Sequence, residues 1–395
     1  MRVALVAGDE AGHAFPAFAL AQQFTDAGHD ATVYTGVRWS DVELGRASIA
    51  ELAGLAAAVG DDDSDAGAKL STRAARMAVR LAPDLRGSYD VVISDVITRA
   101  GAWAADLVGL PWIELSPHPL YEQSCGLPPI GMGLAAGHGT GGRLRDRLLR
   151  AMSARAIATG RQQRVRARAS IGLTAPEHPA ARLIATWPAL EVRRPDWPAD
   201  AHIVGPLLWE PTQQLFDVPP SADPLVMVAP STAVIGRDGL VDAALRALGT
   251  DVLGLSARVV LSGLGMPSAH ECRAGAGARI AKLVTGTGRQ DAVLAEASAL
   301  ICGAGHGMLA KALGAGVPVV MLPGGGDQPE LAARVSRLGA GLTVRTPDPD
   351  VIAAAVRRVL GEPDFRAAAR AVAASGAAIV DPVAVVERAV ADGLS

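Results

Sequence analysis

The sequence predicts an α/β protein built from two consecutive parallel-sheet domains that face each other across a cleft, and three observations predict it. Short β-branched runs alternate with stretches of helical periodicity in both halves of the chain. The runs are apolar on both faces, which requires helices on either side of a parallel sheet. At 395 residues, with 50% hydrophobic side chains and a mean hydropathy of +0.26, the chain can bury two cores more readily than one.

The first run, "RVALVAG" (Arg2 to Gly8), ends on glycine. The apolar residues of "FPAFALAQQFTDAGHD" then recur at helical spacing until Gly28 stops them. "ATVYTG" reads as the next strand, and "DVVISD" (Asp90 to Asp95), the helical "AGAWAADLVG" and "PWIELS" repeat the βαβ pattern. The second half continues it with "PLVMVAPS", a helix near Asp238 to Leu248, "ARVVLSG", "ARIAKLVTG", a helix near Asp291 to Ala299, "ALICGAG", a helix from about Gly307, and "VPVVMLP".

Between the halves, Val204 to Pro224 is rich in proline and polar residues and aperiodic, as an interdomain linker would be. The expected division is a first domain over 1–207, a linker over 208–224, a second domain over 225–380, and a final helix over 381–395 that packs back on the first domain.

Three stretches break the rhythm. Ala56 to Gly67 is small and acidic, and Gly126 to Gly142 carries seven glycines and reads as a loop over the acceptor side of the cleft. From Arg143 to Arg168 there are nine arginines and one acid, Asp146, which reads as a solvated helix face, or as the frame of an entrance for an anionic or lipid-linked acceptor.

A net charge of −3 and a pI near 6.3 supply no basic field for nucleic acid, so partners should be small or neutral, with a homodimer left open. Cys125, Cys272 and Cys302 cannot all pair and have no metal-ligand spacing, which suits a reducing cytoplasm. Five apolar residues after Met1-Arg2 are too few for a signal-peptide core, and no uninterrupted apolar stretch reaches membrane-spanning length. The expectation is a soluble cytoplasmic protein without stable membrane insertion.

Ligands of doubly wound sheets sit beyond the carboxyl ends of the strands. The loop "GDEAGHAFP" occupies that place after the first strand and points His13 into the crevice, where an imidazole can accept a proton near neutral pH. Asp95 ends another parallel strand at the same edge. It can orient and charge-balance that imidazole, cap the helix beginning near Arg99, or do both.

A helix opening near Gly307 offers free N–H groups to an anion, and the glycines around it admit a phosphate to the backbone. Asp327 and Gln328, on the next loop, match the hydroxyls of a sugar. Phosphate at one end and polyol at the other describe a nucleotide sugar. The dinucleotide fingerprint is not met, since Met308 stands where its third glycine would be, which disfavours a nicotinamide-dependent oxidoreductase. The run Asp61-Asp62-Asp63 with Asp65 reads as solvated surface rather than as a metal site, so no metal or other cofactor is expected.

These residues also carry a resemblance. "AGHAFPAFALAQQFTDAGHDATVYTG", "DVVISDV…AADLVGLPWIELS", "VGPLL", "APST" and "GRQDAVLAEASALICGAGHGMLAKALGAGVPVVMLPGGGDQPELAARV" resemble the metal-independent nucleotide-sugar glycosyltransferases of the GT-B architecture, two facing Rossmann-like domains, and in particular the bacterial natural-product (UDP-glycosyltransferase-like, family 1) enzymes. The resemblance implies an inverting transfer with His13 as base and Asp95 as its partner. It also implies Ser231 and Thr232 on the donor diphosphate, Gln290 on the nucleoside, Asp327 with Gln328 on the transferred sugar, and Gly305, His306, Gly307 and Met308 in the phosphate-binding turn.

Four positions depart from the family pattern. Gly303 stands where a phosphate-binding histidine is usual, leaving His306 or the backbone to serve. Thr287 replaces the base-stacking aromatic, Arg289 the proline before Gln290, and Leu331 an asparagine. The implied donor is a dTDP- or UDP-linked sugar and the acceptor a small natural product. A catalytically impaired nucleotide-sugar-binding helper protein and a nucleotide-sugar 2-epimerase are the alternatives.

Overall fold

The computed structural model describes residues 1–58, 65–231, 236–276 and 279–393. Strands β1 (Arg2–Val6), β2 (Asp30–Thr35), β3 (Ser48–Glu51), β4 (Val91–Asp95), β5 (Trp112–Ser116), β6 (Ala181–Ile184) and β7 (Ala201–Ile203) form one sheet in the order 3-2-1-4-5-6-7. Strands β8 (Leu225–Ala229), β9 (Arg258–Ser262), β10 (Lys282–Gly286), β11 (Ala299–Cys302), β12 (Val319–Met321) and β13 (Gly341–Thr343) form the second, in the order 10-9-8-11-12-13. Every pairing within both sheets is parallel.

Helices α1 (Ala11–Asp26), α2 (Ala66–Leu85), α3 (Ala100–Val108) and α4 (Gly139–Ser170) accompany the first sheet. The second carries α5 (Leu240–Ala247), α6 (Thr250–Leu253), α7 (Ala269–Ala276), α8 (Gln290–Glu296), α9 (His306–Gly314), α10 (Gln328–Arg337), α11 (Pro349–Gly361) and α12 (Pro363–Ala374), and α13 (Pro382–Gly393) ends the described chain.

The all-apolar strands follow from burial on both faces. In β1, Val3 and Leu5 enter a core with Phe18 and Phe24 of α1, while Ala4 and Val6 enter another with α2 and α3. In β8, Val226 and Val228 face one core and Leu225, Met227 and Ala229 the other. Each such side chain contributes about 1.5–3 kcal/mol relative to exposure, so polar alternation is not tolerated here.

Several elements differ from the sequence reading. His13 lies in the first turn of α1 rather than in a loop, because the amides of His13 and Ala14 both reach the carbonyl of Glu10 (2.9 Å each) and close the turn ahead of Pro16. Strands β3, β6, β7 and β13 are only three or four residues of mixed polarity, and periodicity does not reveal them. Asp65 is not loop: it caps α2, accepting from the Ala68 amide at 2.9 Å.

The alanine-rich tail breaks into three helices, each opening on a proline at 349, 363 or 382, where the missing N–H costs nothing. Pro363–Gly393 is apolar enough by composition to cross a membrane, but it is interrupted between α12 and α13 and each part is 12 residues long. Val383, Val386 and Val390 of α13 pack into the α1 core of the first sheet, and His29 Nε2 meets Glu387 Oε1 at 3.0 Å.

Candidate active site

Each sheet reverses its strand order once, between β1 and β4 and between β8 and β11, and loops diverging at such a point leave a crevice. His13, after β1, and Asp95, the last residue of β4, meet in the first crevice with Nδ1 and Oδ1 2.7 Å apart. The second oxygen of Asp95 accepts from the Thr98 amide (2.9 Å), the Thr98 hydroxyl (2.8 Å) and the Ile97 amide (3.2 Å). Asp95 therefore shapes the turn before α3 rather than capping the helix itself, and no side chain caps α3.

Burial alone would push the His13 imidazole down, but the charge and hydrogen bond of Asp95 outweigh it and hold the pKa above the ordinary 6.5. Burial opposes the charge on Asp95 as well, yet His13 and Thr98 keep its carboxyl below the usual range. With Nδ1–H given to the carboxylate, Nε2 is left as the ring's acceptor.

Two residues that the sequence reading did not single out complete this corner. The loop "SPHPLY" after β5 stacks His118 on Tyr121, with ring centroids 4.3 Å apart. His118 Nδ1 donates to the Pro119 carbonyl at 2.8 Å, and burial lowers the imidazole's pKa, so the ring is neutral. The Tyr121 hydroxyl donates to Asp327 Oδ2 at 3.1 Å, joining the first domain to the second. The available signal was position: this loop follows a buried parallel strand at the same sheet edge as Asp95.

In the second domain, Ser231 follows β8 and Gly303 to Gly305 follow β11. Gln328 bridges Ser231 to the loop after β12, accepting from the Gly324 amide (2.7 Å) and donating to Ser231 Oγ (3.0 Å). A Cβ on Gly303 would lie 3.2 Å from that of Ser231 and 3.6 Å from Gln328 Oε1, so close packing accounts for the glycine. Ala304 takes a left-handed φ of 63° and Gly305 an extended one, which aims α9 with no side-chain cap on its first amides. Gly307 and Met308 lie in that first turn.

The His306 ring does not serve as a cation there. Its Nε2 meets Thr186 Oγ1 at 2.9 Å, and burial drives its pKa down to about 3, so it is neutral and ties the domains together. Thr232 and Asp61 to Asp63 lie outside the described residues. Among the described residues no group of three His, Cys, Asp or Glu side chains is placed to hold a metal ion.

Gln290 opens α8, with Nε2 on Ser262 Oγ and Oε1 on Lys311 Nζ (3.1 Å each). Lys311 pairs in turn with Glu210 of the linker at 2.8 Å. Thr287 is bonded to the Gly263 carbonyl, and the aromatic ring packed at this turn is that of Phe216, against Gly288.

The two corners face one another. Trp187 Nε1 donates to the Ala310 carbonyl (2.9 Å), Arg334 Nη1 to the Leu190 carbonyl (2.9 Å), and the Gly133 amide to Glu330 Oε2 (2.9 Å). The glycine-rich loop thus rests on α10 through Gly133 before running into α4, and α10 is the helix that Asp327 and Gln328 begin.

Comparison with known proteins places the class. Over its full length the fold matches the glycosyltransferase VinC, whose crystal structure is in complex with dTDP, with a TM-score of 0.69 and 21% identity, covering 99% of this chain and 98% of that one. Over 323 residues the chain is 29% identical to 4'-demethylrebeccamycin synthase of Lentzea aerocolonigenes, covering 75% of this chain and 73% of the relative. It is 30% identical over 181 residues to a PGL/p-HBAD biosynthesis glycosyltransferase of Mycobacterium tuberculosis, covering 45% of this chain and only 40% of that enzyme.

The chain has the GT-B fold, and the relatives it matches include glycosyltransferases. Residues 287–391 match the family described as the erythromycin biosynthesis protein CIII-like C-terminal domain.

Proposed function

We propose that the protein is an inverting, metal-independent transferase that moves a sugar from a dTDP- or UDP-linked donor to a hydroxyl of a small natural-product acceptor. The observation that carries this reading is the 2.7 Å contact between His13 and the buried Asp95, in a crevice that Asp327 of the other domain also enters through Tyr121. The dTDP bound to VinC and the biosynthetic name of the Lentzea relative support the choice of donor and acceptor.

In this reading the acceptor oxygen attacks the anomeric carbon from the face opposite the leaving group, and its proton passes to His13 Nε2. The bond from the anomeric carbon to phosphate oxygen breaks, and its electron pair leaves on the diphosphate. Asp95 offsets the charge gained by the imidazole, and the uncapped amides of α9 receive the charge gained by the diphosphate. The two charges develop in different domains, so catalysis needs the closed cleft.

The helper-protein alternative rests on the Gly303 and Thr287 departures; close packing against Ser231 and Gln328 accounts for the glycine, and Thr287 is bonded to the Gly263 carbonyl. The test is transfer by the purified chain across dTDP- and UDP-sugars with aglycone acceptors, with the anomer of the product read by NMR. His13→Ala should lower kcat by about 10²- to 10⁴-fold while calorimetric binding of the nucleoside diphosphate persists. Turnover that survives the substitution, or a product of retained configuration, would sink the assignment.

A further inference from the structure

Helix α4 is the largest feature that the transfer reaction leaves unused. It carries nine arginines and one acid, a net charge of +8, in a chain whose total is −3. That acid, Asp146, is buried, accepting from the Gly137 amide and from Arg145 at 2.7 Å each, and so marks the inward face of the helix.

At roughly 100° per residue, Leu144, Leu148 and Met152 form one stripe on the opposite face, and they are 57%, 57% and 79% exposed. Arg143 and Arg147 flank the stripe on one side and Arg145 on the other, while Arg155 continues its line. Among the described residues no carboxylate pairs with Arg143, Arg147 or Arg155. The helix is held on its inward face, by Asp146 on the Gly137 amide and by Arg150 on the Leu127 carbonyl in its first half, and by Ala167 in the core and Arg168 on Asp106 (2.9 Å) in its second.

We propose that the first half of α4 is an interfacial helix that seats the protein on an anionic lipid bilayer. An apolar stripe bordered by arginines, of which Arg143, Arg147 and Arg155 pair with no carboxylate among the described residues, matches a surface whose headgroups are negative and whose interior is hydrocarbon, and the arginine stems reach up to the phosphates as the leucines enter. A protein partner fits less well. Three apolar side chains on one helix fall far short of the roughly 1,000 Å² that a specific interface needs, and the flanking charge asks for an acidic surface on both sides of the stripe.

The test is co-sedimentation of the full chain with vesicles of phosphatidylcholine alone and with vesicles in which phosphatidylglycerol replaces part of it. Binding should require the anionic lipid and weaken as salt rises. At roughly fivefold per arginine, the triple variant R143Q/R147Q/R155Q should bind on the order of 100-fold more weakly. Leu148→Gln should lose about tenfold through the apolar contact.

All four side chains are exposed or peripheral, so an unchanged melting curve checks that the variants fold. Equal binding to neutral vesicles, or none to either kind, would overturn the proposal. So would self-association in light scattering that Leu148→Gln abolishes, because the stripe would then belong to a second copy of the chain.

Discussion

The corner after β4 and the corner after β11 occupy the same place in their two sheets and solve different problems. Both lie at the reversal of strand order, and both contain a non-glycine residue with positive φ just ahead of the next helix, Arg99 at 37° and Ala304 at 63°. The first corner is built from ionisable side chains: Asp95, His13 above it, and Arg99 held on buried Glu114 at 2.8 Å. The second is built from backbone, with Gly303, Ala304 and Gly305 leading into uncapped amides and Gln328 bracing Ser231. A proton needs a group that titrates, whereas a diphosphate needs fixed dipoles that do not. One topology serves both because the crevice comes from strand order and the chemistry from what lines it.

The sharpest way to break this contrast is to remove the titrating partner. Asp95→Asn removes the main opposition to burial at His13, leaving only the charges of Glu10 and Asp327 to hold the proton, so the raised pKa should fall. The base must be neutral to work, so the wild-type kcat/KM should decline as pH falls through a pKa above 6.5. In the variant that acid limb should move to lower pH while the plateau drops by about 10²- to 10⁴-fold. An acid limb that stays in place would detach Asp95 from the base.

A smaller effect is expected from crowding the backbone corner. Gly303→Ala puts a methyl 3.2 Å from Ser231 Cβ and should raise the donor KM about tenfold, with a stability loss of about 1–3 kcal/mol. The pH profile should not move, since nothing titrating is touched. A shifted profile would show that the two corners are not chemically separate.

The smallest effect concerns their junction. Tyr121→Phe deletes the hydroxyl donated to Asp327, and one net hydrogen bond of about 0.5–1.5 kcal/mol should raise the donor KM by roughly two- to tenfold with kcat nearly unchanged. A loss confined to kcat would instead assign Tyr121 to the chemical step.

Much of this was legible in the chain. "RVALVAG" and "DVVISD" declare buried parallel strands by lacking any polar alternation, and that alone carries His13 and Asp95 to one edge of one sheet. "GAGHGM" declares a tight turn into a helix. Less legible were contributions that depend on a neighbour. His306 reads as a phosphate ligand until Thr186 of the other domain is seen on its Nε2. Tyr121 reads as an unremarkable loop residue until Asp327, far along the chain, is seen to accept its proton.

By itself the sequence determined two doubly wound domains, their cleft, and the residue types gathered at each strand end, because hydrophobic periodicity and turn chemistry are local properties that survive without a partner. The tertiary structure alone decided which nitrogen of His13 faces the carboxylate, that His306 is neutral, that Gly133 of the glycine-rich loop rests on α10, and which face of α4 is bare. Orientation, protonation and exposure are set by contacts between segments distant in sequence, and no local pattern encodes those.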